Sequence, residues 1–176
     1  MQESSIIAKY IDDKYAAKSG ASLNPESPIQ RAQVQLFVEA TAGLLIQAFY
    51  KLLKEQDPAQ HAGQAEAFTA ALKAIGARLL EHDATLDAAQ NAAGGLFMGG
   101  SLSFADILVW PWVRRVSALT KHRGYTIPAA GGDAQLARFA AWKAAVDAHP
   151  AVAGTFQEGD EEFYAEQYSG YANPSK

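Results

Sequence analysis

The chain contains no cysteine, which excludes disulfides, thiolate metal sites and a cysteine nucleophile from within it. That absence is compatible with a reducing compartment, and a cytoplasmic location is the expectation. Histidine is scarce too. His61, His82, His122 and His149 stand singly, with no i,i+4 partner, so no metal site is expected. No apolar run stands out as membrane-spanning, and nothing after Met1 reads as a secretory leader. A basic excess is also missing. The net charge of −4 argues against nucleic acid or an anionic membrane as the main partner. Serines are plentiful, but there is no Gly-x-Ser-x-Gly elbow and no histidine placed to serve one. Repeats, low-complexity blocks and heptad arrays are absent.

What is present favours helices. Alanine is abundant and β-branched residues are sparse, which puts an all-α reading first. With 176 residues, 49% of them hydrophobic, the chain can bury one ordinary core. From Met1 to about Lys18, Ile6, Ile7, Tyr10, Ile11 and Tyr15 recur at helical spacing, with Ser4 or Ser5 as the expected cap. Ser19 to Pro28, with Gly20, Asn24 and Pro25, reads as a linker. A long helix over about Ile29 to Glu55 carries a broad stripe from Leu36 and Phe37 through Ala40, Leu44 and Leu45 to Leu53. Asp57-Pro58 breaks it, and a second long helix follows to about His82. Asp83 to Gly95 reads as a partly helical loop. Asp133 caps a further helix, Ala134 to Ala148, with Leu136, Phe139, Ala140 and Val146 inward. An acidic cluster around Glu161 opens a last helix, with Tyr164, Tyr168 and Tyr171 on an aromatic stripe.

The organising stretch is Gly99-Gly100-Ser101-Leu102-Ser103-Phe104-Ala105-Asp106-Ile107. Ser103 is an N-cap and Asp106, three residues on, can return the bond, a capping box with Asp in place of Glu or Gln. Leu102 and Ile107 occupy the positions of a hydrophobic staple. The helix from Phe104 to Leu119 is apolar nearly all round and belongs inside a core. Pro111 should kink it, and loss of the Ser103 cap should cost about 1 kcal/mol. The box reads as a folding device. Five or six helices around this central one complete the expected bundle. Lys121-His122-Arg123 beyond it suits the negative end of the helix dipole and reads as solvated capping.

In order and spacing, these signals resemble the glutathione transferase family, specifically its all-helical C-terminal domain in an omega-like or dehydroascorbate-reductase-like form. The carrying pieces are Glu3-Ser4 with Ile7-Ala8-Lys9-Tyr10-Ile11-Asp12, then Arg31-Ala32, Leu96-Phe97-Met98-Gly99-Gly100 and Ser103-Phe104-Ala105-Asp106-Ile107. Pro111, Trp142, His149-Pro150-Ala151-Val152 and Thr155 complete them. The resemblance implies that residues 1–18 correspond to the last helix of a thioredoxin-like domain, 19–28 to a linker and 29–176 to the helical domain. The catalytic residue of such an enzyme would lie in the thioredoxin-like domain, so none is assigned here.

The resemblance also implies site residues. Glu3 and Ser4 match the pair that holds the γ-glutamyl end of glutathione: a carboxylate for the ammonium, and a hydroxyl and helix N-terminus for the carboxylate. The plainer reading of the pair is an ordinary helix cap. Candidates for a hydrophobic co-substrate wall are Phe37, Tyr50, Trp110, Arg114 and Tyr125. Of these, Phe37 and Trp110 read mainly as core and Arg114 as the ligand contact. Two functions follow. One is a glutathione transferase-like protein supplying the hydrophobic half of a conjugation or thiol-transfer site, inactive as this chain alone. The other is a non-catalytic helical module for ligands or proteins. The expected partners are a small hydrophobic ligand or glutathione conjugate and a second copy of the chain, the latter because an apolar domain face left uncovered drives association.

Overall fold

A computed structural model describes residues 3–92 and 94–174; Met1 and Gln2, part of the first expected segment, and residues 175–176 lie outside the described residues. The elements are α1 (Ser4–Ser19), α2 (Pro28–Lys54), a 3-10 turn (Pro58–Gln60), α3 (His61–Asp83), α4 (Ala88–Ala92), α5 (Phe104–Arg114), α6 (Val116–Arg123), α7 (Ala134–Ala148), α8 (Pro150–Ala153), α9 (Asp160–Gln167) and α10 (Ser169–Ala172). Among the described residues there is no strand, only the isolated bridges Leu96–Gly99 and Met98–Ser101. The all-α bundle expected from composition is what forms. Helix α2 packs against α3, α5 and α6, α3 packs also against α7, and α9 closes over α6.

Local chemistry accounts for the element ends. The Asp133 carboxylate accepts from the N–H groups of Gln135 and Leu136, each at 3.0 Å, and starts α7 at its expected residue. Pro28 opens α2, where its missing N–H costs nothing. Gly76 lets α3 meet α7: a Cβ there would stand 1.9 Å from the Gln135 carbonyl oxygen. Gly99 holds φ 74°, and a Cβ on it would meet the Gln90 carbonyl oxygen at 2.2 Å. Both glycines are contact requirements, one between helices and one in the bend before α5. The core is built from Leu45, Phe49, Phe68, Leu72, Val109 and Trp142, all fully buried.

Five expectations are corrected. The central helix does not run unbroken to Leu119; it ends at Arg114, Arg115 forms a turn, and α6 begins at Val116. Pro111 stays inside α5, and its carbonyl accepts from the Arg115 guanidinium at 2.5 Å. The break therefore falls one turn beyond the proline, where Arg115 takes over a helical acceptor. The cap of α1 is Glu3, with no side-chain cap bond, rather than Ser4 or Ser5. The stripe on α2 is narrower than expected: Leu36 is 69% exposed and Ala40 and Leu44 are exposed, while Val34 and Thr41 are buried. Ala140 likewise faces outward on α7. The last helix is two, α9 and α10, divided at Tyr168.

Two further readings change. By length and composition α2 is apolar enough to cross a membrane, against the expectation that no run is. Its buried residues, Phe37, Leu45, Phe49 and Leu53 among them, are core residues of the bundle, while Ile29, Leu36 and Leu44 stand exposed. Lys121-His122-Arg123 is more than a solvated cap. Arg123 donates to the carbonyls of Leu52 (3.2 Å), Leu53 (2.5 Å) and Ala172 (2.7 Å). It thereby satisfies open acceptors at the end of α2 and fastens the tail. His122 Nε2 lies 2.8 Å from the Ala165 carbonyl on α9.

Candidate functional site

The Ser103–Asp106 pair forms its capping box and does more than start a helix. The Asp106 carboxylate is fully buried. Its Oδ2 accepts from the Ser103 N–H at 2.9 Å and the Ser103 hydroxyl at 2.8 Å. Its Oδ1 accepts from the Phe97 N–H at 3.0 Å and Trp142 Nε1 at 2.8 Å. One carboxylate thus joins the bend, α5 and α7 with no cationic partner among the described residues. Four donors are what allow a charge to sit in a core. The linker joins in, since the Phe104 N–H donates to the Leu23 carbonyl at 3.2 Å. The sequence showed Ser103 as the partner; Phe97 and Trp142 are nine and 36 residues away, beyond local spacing.

The five hydrophobic-site candidates fall in different places. Phe37 is buried against Phe97, ring centroids 4.7 Å apart. Tyr125 is buried, its ring edge-on to Phe68 and its hydroxyl 2.9 Å from Thr69 Oγ1. Burial holds its phenol above the ordinary value. Trp110 and Arg114 are brought together. Trp110 Nε1 donates to Asp147 Oδ1 at 2.7 Å and its ring stacks at 5.8 Å on Phe156. The Arg114 guanidinium lies 3.9 Å from the Phe156 centroid and pairs with Asp160.

Tyr50 stands in a separate aromatic cluster at the C-terminal half of α2. Trp112, Tyr168 and Tyr171 lie 6.0, 6.2 and 5.8 Å from its ring, and Phe49 5.4 Å. Burial, and then the neighbouring Tyr168, raises the Tyr50 phenol above its ordinary value, which keeps it neutral. Arg115 completes the cluster. Its guanidinium lies over Trp112 at 4.9 Å, and its Nε donates to the Tyr168 hydroxyl at 3.0 Å. Tyr50, Trp112 and Arg115 are half-buried and Tyr171 is exposed. Half-open rings beside a fixed cation have the chemistry to contact an aromatic or anionic group. Sequence reading missed Arg115, Trp112 and Tyr168 here, because the turn at Arg115 sets their facing.

At the other end of the chain, Glu3 is held at φ 68° and ψ 111° ahead of Ser4, the sole non-glycine residue at positive φ among the described residues. Such a conformation costs a non-glycine residue of order 1–3 kcal/mol and clusters at functional sites. Its carbonyl accepts from the N–H groups of Ile6 and Ile7 at 3.1 and 3.0 Å, so the first turn of α1 is closed from a strained residue. Both Glu3 and Ser4 are exposed.

No protein-family model matches the chain. Rat (Rattus norvegicus) glutathione S-transferase omega-1 is 31% identical over 119 residues, 66% of this chain and 43% of that protein. Glutathione transferase Omega 3C from Trametes versicolor superposes with a TM-score of 0.73 at 24% identity, over 97% of this chain and 64% of its own. The chain is glutathione transferase-like. Leishmania TDR1, described as a trimeric glutathione transferase, superposes with a TM-score of 0.72 at 24% identity, over 97% of this chain and 34% of that one. A tau-class enzyme from mango, Mangifera indica, gives 0.58 at 25% identity over 95% of this chain and 69% of its own. The all-helical bundle is thus a glutathione transferase fold, and this glutathione transferase-like chain spans 43% of the length of its curated omega relative.

Proposed function

We propose that the chain supplies the hydrophobic co-substrate half of a glutathione transferase-like site, for conjugation or thiol transfer, and does not turn over by itself. The observation that carries this reading is the cluster of Tyr50, Trp112, Tyr168 and Tyr171 around Arg115. The rings offer faces and edges to an apolar or planar body, and the guanidinium offers a fixed positive charge to its anionic part. Glu3 and Ser4 are the proposed holders of the glutathione γ-glutamyl end. Their residue types fit, with a carboxylate for the ammonium and a hydroxyl at the start of a 16-residue helix for the carboxylate. The strain stored at Glu3 supports a functional role for the pair, since a plain cap would not require it. The catalytic residue belongs to the thioredoxin-like partner of such a site, and the location is cytoplasmic.

Calorimetric titration tests this. S-Hexylglutathione should bind more tightly than glutathione, and Arg115→Met should weaken it while glutathione-conjugating activity of the chain alone stays at background. Equal binding of the two ligands by wild type and variant would overturn the reading.

A second reading, a non-catalytic interaction module, is favoured by the uncovered apolar face. On α1, Ile6, Tyr10 and Ile11 are exposed, and so are Ile29, Leu36 and Leu44 on α2. Such surface favours association, here as a homo-oligomer.

A further inference from the structure

The Trp110–Arg114 pair does not belong to the aromatic cluster around Tyr50; Arg114 and Phe156, on which Trp110 stacks, line a groove of about 990 Å³. One wall is α5–α6, the other is the stretch from Phe156 to Ala165, and Lys143 and Asp147 of α7 close one side. This volume lies at the upper end of the range that small-ligand sites occupy. The hydrocarbon of Val113, Val116, Ile127 and Phe156 lines it. Phe156 is 38% exposed yet fixed, with Trp110 stacked on it and Arg114 over its ring.

Charge decides what the groove would take. Arg114 is neutralised by Asp160, and Lys143 by Asp147 at 2.6 Å. Among the described residues that leaves Lys121 alone against Glu161 and Glu162, both exposed and in no ion pair. The uncompensated charge is therefore negative, in a protein of net charge −4, so the field favours a cation.

We propose that this groove is a second ligand site, taking a small cationic amphiphile: an amine carried on an aromatic or alicyclic body. The body lies along Phe156 and the valines, the ammonium faces Glu161 and Glu162, and the site is filled independently of the Tyr50 cluster.

The test uses two probes with one body and opposite charge, 1-naphthylmethylamine and 1-naphthoate, titrated into the 15N-labelled chain. The amine should move the amides of Val113–Lys121 and Phe156–Ala165, and should bind more tightly than the carboxylate. The double variant Glu161→Gln/Glu162→Gln should weaken the amine by about three- to fivefold, the scale of exposed charge pairs, and tighten naphthoate, whose repulsion by the same carboxylates is removed. Both glutamates are exposed, so the variant keeps its fold, and its thermal unfolding checks that. Equal affinity for the two probes, shifts mapping to Tyr50 and Tyr168 instead, or an amine affinity indifferent to the double variant would each overturn the proposal.

Discussion

Asp12 and Asp106 both tie segments together in this chain, and they differ in burial. Asp12 on α1 accepts from Ser22 Oγ at 2.8 Å and the Leu23 N–H at 2.9 Å, in a half-open setting. Asp106 on α5 accepts from four donors with no exposure at all. The two helices differ in the same sense. The apolar side of α1 faces out, with Ile6 54% exposed, while α5 buries Phe104, Val109 and Val113. A helix anchored by a solvated carboxylate can shift or fray with little loss. One anchored by a buried carboxylate cannot, because each donor left behind has no water to turn to.

Asp106→Ala is the change that should separate the two most. It strands the Trp142 indole N–H and the Phe97 and Ser103 amides in the core. Each stranded donor costs roughly 1–3 kcal/mol. Urea unfolding should register a loss above about 3 kcal/mol, with Trp142 fluorescence changing in the folded baseline. Asp12→Ala, losing bonds that water replaces, should cost about 1 kcal/mol or less. Equal losses would mean that burial does not set the difference.

A smaller effect tests the surroundings of Asp106. His82 is 7% exposed, stacks on Phe97 with centroids 4.0 Å apart, and its Nε2 has no partner. Burial is the first cause pulling it below the ordinary histidine value; Asp83 and Asp106 oppose this and Arg138 reinforces it. The unfolded chain therefore takes up its proton at higher pH than the native one. The stability this neutral ring contributes is whole above about pH 6.5 and is lost as pH falls below it. Unfolding free energy measured between pH 7.5 and 5 should drop in wild type and drop less in His82→Phe, which keeps the stack. Parallel profiles would remove His82 from the account.

These contrasts also mark how far the sequence could be read. The box of Ser103 and Asp106, the cap at Asp133 and the bounds of α7 were legible because local chemistry decides them within three or four residues. The all-helical bundle followed from composition and periodicity. What escaped was set by packing at a distance. Trp142 reaches Asp106 from 36 residues away, and Gly76 matters only because Gln135 presses on it. Arg115 breaks a helix that its own propensity would continue. Of the hydrophobic-wall candidates, Tyr50 stands beside Trp112, Arg115 and Tyr168, whose facing depends on that break. Periodicity tells which residues share a face and is silent on what covers it, so Leu36 and Leu44 read as core and stand in solvent.

The smallest stability effect belongs to that uncovered face. Ile11→Ser on α1 removes a side chain that is 50% exposed, so the unfolding free energy of the isolated chain should stay within about 0.5 kcal/mol of wild type. Association should respond instead. If the exposed residues of α1 and α2 join copies of the chain, Ile11→Ser with Leu36→Ser should lower the mass seen by light scattering at high concentration, with no change in helical content. Core substitution gives the opposite signature: Leu45→Ala, fully buried on the other side of α2, should cost about 2–5 kcal/mol. A wild type that is monomeric at every concentration would leave the face free for a different protein. A double serine variant that unfolds would mean the two helices hold each other through that surface, and that α1 is part of the bundle after all.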